Sequence, residues 1–220
     1  MELVAEATER TTAATDALLA LAAVVTCAML HWRTPPSFGR RVWLAALGCM
    51  AIASAIGAMA HGLALSDAAR ELWWQPLYLA LGATMALFIV GAVRDWRGDR
   101  VARRLLPLML VVALAFYGVT RATGGNFLAF VLYETAALGF TLAVYLWLAV
   151  RRRVPGATAM AAAIGVSLAA GAVQAADRGT VRLFWEFDHN GLFHLVQLVG
   201  VALLAAGLGR LLQRPVSEGF

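Results

Sequence analysis

Lysine is absent from this 220-residue chain, cysteine occurs only twice, and charged residues make up only 14% of it. A retinal protein needs a lysine for its Schiff base, so the missing lysine excludes a retinal cofactor. Soluble domains carry about 25% charged residues, so the low charge argues against a soluble domain. Cys27 and Cys49 fall within apolar runs. A free cysteine there behaves as a small apolar residue, so neither predicts thiol chemistry.

The chain consists largely of long runs of hydrophobic residues. Hydrophobic residues make up 61% of it, and a transmembrane helix needs about 20 mostly apolar residues in a row. Irregular backbone cannot face lipid, so such runs predict helices. We therefore predict an all-α membrane protein, a single domain over residues 1–220. Seven segments qualify, the fourth being the shortest: 12–32, 42–65, 72–93, 105–120, 127–150, 157–176 and 191–212.

All 18 basic residues are arginine, and they are distributed unevenly. Thirteen lie in the loops after segments 1, 3 and 5 and in the C-terminal tail: Arg33, Arg40, Arg41, Arg94, Arg97, Arg100, Arg103, Arg104, Arg151, Arg152, Arg153, Arg210 and Arg214. Five lie on the other side: Arg10, Arg70, Arg121, Arg178 and Arg182. Because arginine is enriched in cytoplasmic loops, this predicts an N-terminus outside and a C-terminus in the cytoplasm.

The basic isoelectric point, about 10.0, comes from this rim of arginines. No aromatic platform lies between them, so we expect membrane lipid as a partner and no nucleic acid. Abundant alanine, and arginine without lysine, are typical of a GC-rich bacterial genome. The predicted location is therefore the bacterial cytoplasmic (inner) membrane.

Strongly polar residues cluster in the outer half of the predicted bundle. The inner half offers hydroxyls that can bond to their own helix, as in Thr26, Ser54, Thr84, Thr141 and Ser167. Ionisable groups inside a bilayer are costly and usually serve a site, so we predict a polar cavity in the outer half. Its candidate members are His61, Gln75, Tyr78, Tyr133, Glu134, Gln174, His189, Asn190, His194 and Gln197.

Three of the four histidines fall in that cluster, which raises the possibility of a metal site. His189 and His194 are five residues apart, about 140° around a regular helix. They can therefore face one ion only if His189 precedes the first regular turn or the start of the helix is distorted. Asp188 can cap this helix or orient one of the rings.

The stretch FDHNGLFHLVQLVG, from Phe187 to Gly200, resembles the start of the last helix in the ceramidase and adiponectin-receptor superfamily. Members of that superfamily are seven-helix membrane hydrolases in which three histidines bind zinc. The resemblance implies zinc bound by His61, His189 and His194. Asn190 stands where the superfamily has the first histidine of this motif, and Gly57 stands where it has a serine.

The superfamily also has an aspartate on its third helix. No aspartate lies within segment 3 here, and only Asp67, Glu71 or Gln75 could take its place. A zinc-bound water is acidified to a pKa of about 7 and can attack an amide or ester carbonyl. Glu134, Glu71 or Asp67 could accept its proton. The resemblance thus implies zinc-dependent hydrolysis of a lipid amide or ester.

Two alternatives stay open from the residues alone. A non-enzymatic receptor, sensor or ligand-binding protein would use the same polar cluster to bind a ligand without catalysing a reaction. A single-haem protein would use His61 against His194. A transporter is less favoured, because the inner half lacks a polar lining.

Overall fold

The computed structural model describes residues 2–125, 127–152, 154–176 and 179–213. Within them the chain forms seven helices, each long and apolar enough to cross a membrane. The all-α seven-helix prediction is therefore confirmed, and the protein is an integral membrane protein. The helices are α1 (Ala7–Arg33), α2 (Phe38–Gly62), α3 (Asp67–Arg97), α4 (Asp99–Ala122), α5 (Phe127–Val150), α6 (Ala157–Ala175) and α7 (His189–Leu211).

Several helix ends differ from the predicted segments, because caps and local pairing set them rather than hydropathy. Ser37 and Ser66 accept a hydrogen bond from the backbone N–H three residues on, so α2 and α3 begin before their apolar runs. Helix α2 ends at Gly62 rather than at residue 65, since Leu63 is extended and pairs with Leu3. Helices α1, α3 and α4 are longer at both ends than the predicted segments 12–32, 72–93 and 105–120.

Six of the helices form a closed ring. Along it α1 packs against α2, α2 against α3, α3 against α5, α5 against α6, α6 against α7, and α7 against α1. Helix α4 packs mainly on the outside of α3. Its side chains Leu108, Val111 and Leu114 are more than half exposed, on a surface that suits lipid. The interior of the ring is therefore built without α4.

Helices that follow one another in the chain run in opposite directions, so their starts and ends alternate between the two ends of the bundle. Thr12 near the start of α1 donates a hydrogen bond to Asp188, just before α7. We call this the histidine end, because it carries His61, His189 and His194. The opposite end carries the described members of the group of thirteen arginines, and we call it the arginine end. Arg153 and Arg214 of that group, and Arg178 of the smaller group, lie outside the described residues.

A short antiparallel hairpin, which the sequence analysis did not predict, connects α6 to α7. Its strands are β1 (Val181–Arg182) and β2 (Glu186–Phe187), each too short to show as a hydropathy pattern. The Phe187 side chain is buried, and the Thr11 hydroxyl donates to the Glu186 carbonyl at 2.7 Å. The hairpin is thereby attached to α1 and fixes the start of α7.

The arginine end contains a buried ionic cluster where only hydroxyls were expected. Predicted segment 3 stopped at residue 93, which put Arg94 and Asp95 in a loop. Helix α3 instead continues to Arg97 and turns Asp95 inward, where its side chain is 1% exposed. The carboxylate accepts hydrogen bonds from Tyr145 Oη at 2.6 Å and Arg94 Nη1 at 2.9 Å. Arg94 Nε also donates to Asp99 at 2.9 Å, so the cluster joins α3, α4 and α5.

Candidate functional site

A cavity of about 450 Å³ lies inside the ring towards the histidine end. Pockets for small ligands usually measure about 300–1,000 Å³. All six ring helices contribute to its wall, and α4 supplies none of the described lining residues. The polar lining consists of Asp16, Ser54, His61, Trp74, Tyr78, Thr84, Glu134, Gln174, His189, Asn190, His194 and Gln197. Apolar lining includes Leu19, Met50, Ala53, Leu77, Leu81, Met85, Phe130 and Phe193.

His194 is held on two sides by helix α1. Its Nε2 lies 3.2 Å from Asp16 Oδ1, and its Nδ1 lies 3.1 Å from Thr15 Oγ1. All three residues are buried. A buried ionisable group needs such partners, because water is not there to solvate it. The contacts therefore orient the His194 ring and hold α1 against α7.

Gly57 on α2 makes room for the Asp16 carboxylate. A Cβ at position 57 would lie 2.5 Å from Asp16 Oδ2, closer than real Cβ contacts allow. The space of a side chain at this position is thus filled by Asp16 of the neighbouring helix α1.

His61 is paired with a second acidic residue of α1. Its Nδ1 lies 2.7 Å from Glu9 Oε2, and the two side chains are 13% and 25% exposed. Trp74 meets the His61 ring edge-on at a centroid distance of 5.4 Å. This pair is more exposed than the Asp16–His194 pair.

Glu134 differs from the other acidic residues of the site. It is 9% exposed and lines the cavity from α5. Among the described residues its carboxyl group has no hydrogen-bond or ion-pair partner. Two glutamines of the cavity wall join α6 to α7 by hydrogen bonds: Gln174 Nε2 donates to Asn190 Oδ1 at 2.8 Å, and Gln197 Nε2 donates to Ser167 Oγ at 3.1 Å.

The remaining predicted residues fall outside the main cavity. Glu71 and Gln75 line a smaller pocket of about 260 Å³ that Tyr78 and Trp74 separate from it. Asp67 is exposed at the start of α3 and lines neither space. The Tyr133 hydroxyl donates to the Gly82 carbonyl at 3.2 Å.

Asp188 takes the first of its two predicted roles, as the N-cap of α7. Its Oδ1 accepts from the Gly191 backbone N–H and from the Thr12 hydroxyl, each at 2.7 Å. Helix α7 therefore begins at His189, and this histidine lies within the first turn of the helix rather than ahead of it.

The three histidines line one cavity but do not form a coordination set. The described residues contain no group of three or more His, Cys, Asp or Glu side chains placed to hold a metal ion. Both ring nitrogens of His194 already face oxygen atoms of α1. As arranged, these residues do not fit a three-histidine zinc site, and zinc binding stays an untested prediction.

Helix α1 contributes four residues to the site that were not predicted from the sequence: Glu9, Thr12, Thr15 and Asp16. A signal was available, because Asp16 is an acidic residue inside an apolar segment and such residues usually serve a site. Thr12, Thr15 and Asp16 also recur at the spacing of one helix face.

Fold and site together define a class, the integral membrane proteins with seven helices and a buried polar cavity inside the ring. Residues 11–213 match a family of unknown function (DUF6962), and the chain belongs to that family. No curated protein and no solved structure matches the chain.

Proposed function

We propose that the protein binds an amphiphilic, lipid-like ligand in the cavity and acts as a receptor, sensor or carrier rather than as an enzyme. The observation that carries the proposal is the composition of the cavity wall. Carboxyl, imidazole and amide groups share it with leucine, methionine and aromatic side chains. A ligand with a polar head and an apolar chain satisfies both kinds of surface.

Binding is favoured over hydrolysis because no hydroxyl among the described residues of the cavity wall is hydrogen-bonded to a base. Hydrolysis by a side chain needs a nucleophile within reach of a base and open to the substrate. Thr15 is next to His194, but its hydroxyl is within hydrogen-bond distance of the Thr11 and Thr12 carbonyls, and it does not line the cavity. Thr15 therefore serves to position the imidazole.

Zinc-dependent hydrolysis of a lipid amide or ester is the second candidate function. It is favoured by the His61–Glu9 pair, since metal-bound histidines commonly give their second ring N–H to a carboxylate. Elemental analysis of chelator-free protein separates the two candidates. One zinc ion per chain, lost on His61→Ala substitution, would favour the second candidate.

A cavity-filling variant tests the binding proposal. Leu81 lines the cavity from α3, so Leu81→Trp is expected to weaken the saturable binding of 12-carbon probes at least tenfold. Leu79→Trp is the matched control, because Leu79 lies on the same helix, is 40% exposed and does not line the cavity. Binding of radiolabelled dodecanol, dodecylamine and dodecanoate to protein in phosphatidylcholine nanodiscs provides the measurement. Equal binding of every probe by both variants and the unchanged protein would contradict the proposal.

For orientation, we propose that the arginine end faces the cytoplasm of a bacterial inner membrane, with the N-terminus outside. The proposal is supported by the excess of arginine at that end. A C-terminal green fluorescent protein fusion should fluoresce, and alkaline phosphatase at the same point should be inactive. Phosphatase fused after Gly125, in the turn before α5, should be active. The reverse pattern would show that the orientation is inverted.

A further inference from the structure

We propose that the cavity selects amphiphiles whose polar head is a protonated amine, and that Glu134 is the group that binds this ammonium. This inference rests on the proposed binding of an amphiphile and specifies the chemistry of the head group. Three independent features of the cavity point to a cation: its charge, the missing partner of Glu134, and its aromatic wall.

The first feature is the sign of the charge in the cavity. Asp16 and Glu134 are carboxylic acids, and no arginine is among the described lining residues, although the chain has 18. Three histidines also line the cavity, and two of them already face carboxylates of α1, His61 facing Glu9 and His194 facing Asp16. A low-dielectric cavity in which a carboxyl group has no arginine beside it attracts positive charge. Carboxylate and phosphate head groups are therefore disfavoured, and cationic head groups are favoured.

The second feature is the missing partner of Glu134. A carboxylate removed from water is strongly destabilised unless a donor or a cation compensates it. The two glutamines that line the same cavity each donate a hydrogen bond to another residue, Gln174 to Asn190 and Gln197 to Ser167. Asp16, by contrast, already has His194 beside it. A donor supplied by the ligand would complete the Glu134 site with a charge-assisted hydrogen bond.

The third feature is the aromatic wall. Trp74, Tyr78, Phe130 and Phe193 line the same cavity as Glu134. Aromatic faces attract ammonium groups, and this attraction increases when the cation is desolvated. The same rings provide apolar surface for the methylene groups next to the nitrogen. An anionic head group would gain no such attraction from the ring faces.

A probe series that differs only in the head group tests the inference. Full-length protein in phosphatidylcholine nanodiscs is titrated at pH 7 with dodecylamine, dodecanol or dodecanoate, and the saturable part is defined by subtracting binding to Leu81→Trp. Dodecylamine, which is protonated at this pH, is expected to bind at least tenfold more tightly than dodecanol. Dodecanoate is expected to bind more weakly than either.

Substitutions at Glu134 then identify the group responsible. Glu134→Gln keeps the shape and removes the charge, so dodecylamine affinity should fall at least tenfold while dodecanol affinity changes less than threefold. Glu134→Asp keeps the charge and should retain a preference for the amine. Asp67→Asn is the matched control: it removes an exposed carboxylate at the same end, outside the cavity, and should leave all three affinities unchanged.

The outcomes separate this inference from the proposed function. If dodecanol binds as tightly as dodecylamine, or Glu134→Gln weakens both equally, the ammonium assignment is wrong and amphiphile binding stands. If no probe shows saturable binding that Leu81→Trp removes, the proposed function itself fails. A well-folded Glu134→Gln protein, shown by an unchanged melting temperature, that keeps the full amine preference also overturns the assignment.

Discussion

Arg94→Ala is expected to lower the free energy of unfolding by about 3–5 kcal/mol, the usual effect of removing one partner from a buried ion pair. The Asp95 side chain is only 1% exposed. Its carboxylate would keep the hydrogen bond from the Tyr145 hydroxyl but lose Arg94, its only described cationic partner. Unfolding in mixed micelles, titrated with sodium dodecyl sulfate and followed by tryptophan fluorescence, measures the change. Arg104→Ala is the control, since Arg104 is exposed at the same end, and it should change stability by less than about 0.5 kcal/mol.

The mechanism behind this prediction can be tested by removing the charge that is left uncompensated. A buried ion pair can often be replaced by apolar residues at little cost, whereas a single buried charge cannot. The double variant Arg94→Met with Asp95→Leu should therefore be more stable than Arg94→Ala alone. A double variant at least as unstable as Arg94→Ala would show that the loss comes from packing against α2 rather than from the unpaired Asp95. Gly39 on α2 is the relevant neighbour, because a Cβ there would lie 2.7 Å from Arg94 Cζ.

The number and type of the helices could be predicted from the sequence because each apolar run is long enough to span a membrane by itself. Helix ends could not, since they depend on single caps and contacts. Arg94 and Asp95 illustrate this difference. Hydropathy placed both after segment 3, but α3 continues to Arg97 and brings Asp95 against Tyr145.

The candidate site could be predicted in part. Depth along each segment placed His61, Glu134, Gln174 and His194 in the outer half of the bundle, and in the structure all four line one cavity. Depth says nothing about which way a side chain faces around its helix, so Tyr133 was included although it bonds outside the cavity. Asp16 is the main omission.

The pairing of Asp16 with His194 could not be predicted from spacing, because it depends on which helices are neighbours in the ring. Helix α1 closes the ring against both α2 and α7. That closure places Asp16 between His194 of α7 and Gly57 of α2. A glycine in an apolar helix is common in membrane proteins and gives no sign of such a partner.

The second large effect is expected from Gly57→Ala. The new Cβ would lie 2.5 Å from Asp16 Oδ2, so the carboxylate must move away from His194 or the helices must separate. Overpacking of this kind costs typically about 1–3 kcal/mol. Gly48→Ala on the same helix is the matched control, because nothing lies within 4 Å of a Cβ there. Alanine is the better helix former by about 0.5–1 kcal/mol, so the control should be neutral or slightly stabilising.

A double-mutant cycle shows whether Asp16 is the cause. Asp16→Ala alone should be destabilising, since it leaves His194 Nε2 without its acidic partner. In the Asp16→Ala protein the added methyl group at position 57 meets no carboxylate. Gly57→Ala should therefore lower the stability of that protein by less than about 0.5 kcal/mol. The coupling energy between the two positions should be about 1–3 kcal/mol. Additive losses would mean that the two residues do not interact. In that case the packing of α1 against α2 and α7 would not depend on the Asp16 carboxylate, even though it fills the space beside Gly57.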